Sequence, residues 1–98
     1  MNKEIIYTVT TIRYFAEAGR RAVGFFHEFD VAVDALVENY CDINEDNYYP
    51  YAVIEGVRPG FYMVPREEFW YKWDEDKQEY ISCEKPDRFK NIVAWSLG

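Results

Sequence analysis

Along this chain, runs of β-branched and aromatic residues alternate with short polar breaks, and in one stretch the apolar period changes from two to about 3.6. Ile5 to Tyr14 is rich in Ile, Val, Thr and Tyr and reads as a strand. Ala16-Glu17-Ala18-Gly19 breaks it, and Gly19 suits the positive φ of a hairpin loop. Arg21 to Phe26 returns as a second strand, with Gly24 inside it marking a bulge or a close contact. The period then lengthens. Phe29, Val33, Leu36, Val37 and Tyr40 fall on one face of a helix expected from Val31 to Tyr40, with Asp30 as its N-cap.

Cys41 to Asn47 reads as an acidic loop. Tyr48 to Val57 reads as a third strand, with Pro50 near its start, where a missing donor does least harm. Arg58-Pro59-Gly60 suits a type II turn. Phe61 to Pro65 is extended. Phe69, Tyr71 and Trp73 alternate with Glu68, Trp70, Lys72 and Asp74, the mark of a half-buried strand with an aromatic inner face. Glu75-Asp76-Lys77 turns the chain and Glu79 to Cys83 pairs back. Pro86 opens a short helix to Asn91, and Val93, Trp95 and Leu97 form a last strand.

The expected order is therefore β-β-α-β-β-β-(α)-β. Hairpin-length connections favour antiparallel pairing. The expected fold class is α+β: a curved antiparallel sheet of five to six strands with one main helix packed on one face. Ninety-eight residues make one domain, 1–98. An unpaired edge strand is expected in so small a sheet, and with it a homodimer.

Charge adds a second pattern. The window from Ala22 to Val57 holds no Lys or Arg but eight acids: Glu28, Asp30, Asp34, Glu38, Asp42, Glu45, Asp46 and Glu55. The whole chain is −7, so the remainder is near neutral. Segregated charge makes a local, directional field. It argues against direct nucleic-acid binding, where an acidic protein meets phosphate. No run is long and apolar enough to span a membrane, and the opening residues carry no apolar stretch before a small-residue cleavage site. Cys41 and Cys83 stand far apart and read as free thiols in a reducing cytoplasm.

Chemistry-bearing constellations are sparse. His27, Cys41 and Cys83 are three isolated ligands, not the paired sets of structural zinc. Asp42 to Asn47 has oxygens but lacks the glycine of a calcium loop. His27, the only histidine, lies beside Glu28 between a strand and a helix cap and reads as a solvated or capping residue. Glu67 and Glu68 are adjacent and point to opposite faces of a strand. No phosphate loop exists. Neither a cofactor nor a metal is expected, nor catalysis. Aromatics are in surplus, with nine Tyr, seven Phe and three Trp. If Trp70 faces outward while Phe69, Tyr71 and Trp73 face inward, a large ring stands beside Lys72 and Arg66 as an interface anchor.

Val23-Gly24-Phe25-Phe26 leading into Phe29 to Ala35, Tyr49 to Glu55 with Pro59-Gly60-Phe61-Tyr62, and Arg66 to Trp73 together resemble a family of short bacterial proteins of no assigned activity, also carried on mobile elements. The resemblance implies a context only: small acidic proteins of phages and plasmids often block a host factor, notably in counter-defence.

The expected function is a non-enzymatic, cytoplasmic binding protein that occupies the basic surface of a partner protein. Asp34, Glu38, Asp42, Glu45 and Asp46 would steer the encounter, with Tyr48, Tyr49 and Trp70 as anchors. The alternative is a sequestering binder of a nucleotide-like small molecule, held by Arg13, Arg21, Arg66 and the aromatics in a pocket expected between subunits.

Overall fold

The structure, a computed structural model, describes residues 5–13, 20–39, 43, 49–57 and 65–89. Among the described residues, five strands form one open, curved antiparallel sheet: β1 Ile6–Ile12, β2 Arg20–Phe26, β3 Tyr51–Val57, β4 Pro65–Asp74 and β5 Glu79–Cys83. One α-helix among the described residues, α1 Phe29–Val37, lies between β2 and β3 in the chain, and a 3-10 turn, Asp87–Phe89, follows β5. The spatial order is β2-β1-β3-β4-β5. The α+β class, the antiparallel sheet and the helix on one face all follow the expected pattern. The segments expected at Ala16 to Gly19, Arg58 to Val64 and Val93 to Leu97 lie outside the described residues.

β1 pairs antiparallel with both β2 and β3, so β2 and β3 run parallel to each other. Parallel strands need a crossover, and α1 supplies it by passing over β1. Register explains Gly24. Val9 faces Gly24 but Thr10 faces Ala22, so Val23 is the extra residue of a bulge. A second irregularity lies between Gly56 and Val57, where Arg66 is the unmatched residue of β4.

The helix is offset from its expected bounds at both ends. Glu28, not Asp30, is the N-cap, and its side chain makes no capping bond. Phe29 is drawn into the first turn because its ring packs against Tyr7 at 5.6 Å and Phe69 at 4.5 Å. Asp30 sits instead in the first turn, where its charge still meets the positive helix end. The helix stops at Val37 because Asn39 takes a left-handed conformation, φ 51°, which Asn tolerates. Ala32, Ala35 and Leu36 are its buried residues. The two alanines, absent from the expected stripe, let the helix lie close on the sheet.

Gly56 belongs to the same corner. A Cβ there would sit 3.2 Å from the Tyr7 ring. The missing side chain lets Tyr7 lie over β3 and hold Phe29.

The opposite face of the sheet is also covered. Tyr7, Val9, Ala52, Ile54, Phe69, Tyr71 and Tyr80 face the helix. Ile12, Val53, Trp70 and Phe89 form a second cluster on the other side. β3, the middle strand, is buried at every position from Ala52 to Val57, as a strand covered on both faces must be. Trp70 is thus no surface ring. It is 4% exposed, because the chain after β5 folds back and stacks Phe89 on it.

Candidate functional site

Four members of the acidic window are placed by the helix and its entry. Glu28, Asp30, Asp34 and Glu38 are all exposed. Ala32, Ala35 and Leu36 turn the apolar side of α1 to the sheet. Phe29 and Val33 pack beside them, and the acidic positions are left to water by the helical period. Asp30, Asp34 and Glu38 follow at i, i+4 and i+8, about 6 Å apart along the axis per step. That spacing is shorter than the screening length of about 8 Å at physiological salt, so the three act on a partner as one negative stripe. Among the described residues, no ion pair neutralises any of them; Lys85–Glu68 at 3.0 Å lies on the far side of the sheet. Val31 lies between Asp30 and Asp34 on the helix and is 45% exposed, an apolar contact inside the stripe.

The eighth acid of the window is elsewhere. Glu55 is fully buried on the face of β3 away from α1 and adds nothing to the exposed charge. Asp42, Glu45, Asp46 and Tyr48 lie outside the described residues.

Tyr49, expected as an anchor, is 8% exposed. Its ring lies under the Arg21 guanidinium at 5.0 Å, and its carbonyl accepts a bond from the Tyr80 hydroxyl at 2.7 Å. Arg21 also donates from Nη2 to the Ile43 carbonyl at 3.1 Å. This arginine therefore ties Ile43 and Tyr49, at either end of the acidic segment between them, to the helix side of β2. Trp70, the other expected anchor, donates from Nε1 to Glu68 Oε1 at 3.0 Å, which Lys85 also binds. Both rings are structural.

The three arginines of the ligand alternative do not converge within one chain. Arg13 follows Ile12, and Arg21 pairs with Thr11, at one end of the sheet. Arg66 sits beside Val57 at the other end, roughly 15–20 Å away at about 3.3 Å per residue. The side chain of Arg66 is not among those described.

An open depression of about 410 Å³ lies along β4 and β5, with Trp70, Cys83 and Lys85 on its wall. Burial pushes the Cys83 thiol up, Lys72 pulls it partly back, and Glu84 adds to the rise. A thiol held protonated is a weak nucleophile. His27, exposed and edge-on to Phe25 at 6.2 Å, follows the opposite edge strand, so the sheet's width separates the two groups. Among the described residues, no group of three His, Cys, Asp or Glu could hold a metal ion. No described helix is long and apolar enough to cross a membrane.

No family model, no curated protein and no solved structure matches this chain. The resemblance to short mobile-element proteins rests on its three sequence stretches alone.

Proposed function

We propose that this chain is a non-enzymatic binding protein of the cytoplasm that docks the outer face of α1 on a basic surface of a partner protein. The observation that carries the reading is the stripe Asp30-Asp34-Glu38, exposed and unneutralised among the described residues, on a helix without a single Lys or Arg. Such a face raises the encounter rate with a cationic surface and repels acidic ones. Val31, exposed within the stripe, supplies the apolar contact that charge alone lacks. Its setting, on this reading, is a bacterium carrying the chain on a mobile element, where it covers and blocks a host factor.

The small-ligand alternative has less support. The Arg21 guanidinium is engaged with Tyr49 and Ile43, and Arg66 lies at the far end of the sheet.

The test is affinity capture from the native host with wild-type chain and with an Asp34→Lys/Glu38→Lys chain, followed by association kinetics on whatever the first retains and the second does not. The on-rate should fall steeply as salt rises. A retained partner whose association ignores both salt and charge reversal would exclude this reading.

A further inference from the structure

We infer that β2 is the contact edge of a symmetric homodimer, in which Phe25 of each copy packs on Ala22 of the other. β2 is an outer strand, with no further strand beyond it among the described residues. Such an edge presents main-chain donors and acceptors to a neighbour. Two large hydrophobic side chains are strongly exposed among the described residues, and the more exposed is Phe25, at 62%. Ala22 is exposed too. Register puts both on the same side of the sheet, since Phe25 faces Thr8 and Ala22 faces Thr10.

Charge identifies the occupant. β2 opens on Arg20 and leads into His27 and the exposed Glu28. When two copies lie antiparallel, the basic opening of each runs beside the acidic exit of the other. Opposite charges across an antiparallel pair stabilise it and like charges oppose it, so this edge complements itself. A parallel arrangement would set arginine beside arginine.

The bulge selects the register. Val23 and Gly24 are successive, yet both belong to the helix side: Val23 packs on that core and Gly24 faces Val9. Between two such edges, side chains stay on their own faces when Ala22 lies opposite the partner's Phe25. Arg21 then lies opposite the partner's Phe26, and Arg20 opposite the partner's His27, one residue from Glu28.

The acidic stripe of α1 takes no part, so this inference stands apart from the proposed partner. The experiment is sedimentation velocity of the full chain across a micromolar concentration series. The wild type should show a monomer–dimer equilibrium. Phe25→Glu should shift its midpoint upward at least about tenfold, as loss of an interface anchor does. Its circular dichroism melt should match the wild type's at concentrations where both chains are monomeric, because the ring is exposed. Glu28→Arg should weaken the dimer likewise, and Arg20→Glu added to Glu28→Arg should restore it. The Asp34→Lys/Glu38→Lys chain should dimerise as the wild type does. A wild type that stays monomeric, a dimer indifferent to Phe25→Glu, or a charge swap that fails to restore association would each overturn the inference.

Discussion

Trp70 and Phe89 stack with ring centroids 5.6 Å apart and planes 20° from parallel. One ring lies on β4 and the other comes from the chain beyond the last described strand, so the pair closes the face of the sheet that α1 does not touch. Phe89→Ala removes the covering ring and leaves a void over Trp70. We expect a loss of about 3 kcal/mol, as for other buried Phe→Ala changes. Tryptophan emission should also shift to the red. Urea titration followed by fluorescence reads both, and an unshifted spectrum at unchanged stability would show that Phe89 does not shield Trp70.

Gly56 sets the other face. Its absent side chain leaves the Tyr7 ring 3.2 Å from where a Cβ would lie, and Tyr7 in turn holds Phe29 at the start of α1. Gly56→Val forces a branched group into that contact. The expected cost is about 1–3 kcal/mol, as for other overpacked cores. The near-ultraviolet dichroism of the Tyr7-Phe29-Phe69 row should weaken. Thermal melting of the variant checks the first expectation and the near-ultraviolet band the second.

Glu38 separates stability from binding. It is the C-cap residue of α1, a carboxylate at the negative end of the helix and four residues after Asp34. Glu38→Lys should therefore stabilise the fold by about 0.5 kcal/mol through the helix dipole and a new i, i+4 attraction. The same change should slow association with a basic partner. A chain that becomes more stable and binds less well marks the carboxylate as functional. A chain that becomes more stable and binds equally well marks it as solubilising only.

Two groups, buried Tyr71 and half-buried Cys83, contribute to behaviour at high pH. Burial raises the Tyr71 hydroxyl above its ordinary range, and burial, opposed by Lys72, raises Cys83. In the unfolded chain these groups lose their protons near about pH 10 and about pH 8.5 respectively. Above those values the native state holds more protons than the unfolded state. Stability that is complete at neutral pH is therefore lost as pH climbs through the raised native values. Urea midpoints should fall progressively above about pH 8.5, and Cys83→Ser should flatten the first part of that fall. Cys83 should also alkylate slowly in the native chain at neutral pH and rapidly in urea.

Much of the fold was legible from period alone. Alternation of Phe69, Tyr71 and Trp73 against Trp70 and Lys72 defines β4, and β-branched density defines β1 and β3, because a pleated strand repeats every two residues wherever it sits. Gly24 announced the bulge that register then placed at Val23. The charge stripe was equally plain, since i, i+4 spacing and the lack of Lys and Arg need no coordinates to recognise. Asp34 and Glu38 stand exposed where that spacing put them.

What lay beyond the sequence is which faces are covered and by what. Period two assigns Trp70 to the side opposite Phe69 and Tyr71, but that its ring is covered there depends on a distant residue, Phe89. Tyr49 and Arg21 are likewise 28 positions apart in sequence, and their stacking withdraws both from solvent. Glu55 belongs to the acidic window by sequence and to the interior by sheet order. Local spacing fixes the direction of a side chain relative to its own element, whereas burial depends on contacts made by chain far away, and those exist only once the strands are ordered β2-β1-β3-β4-β5.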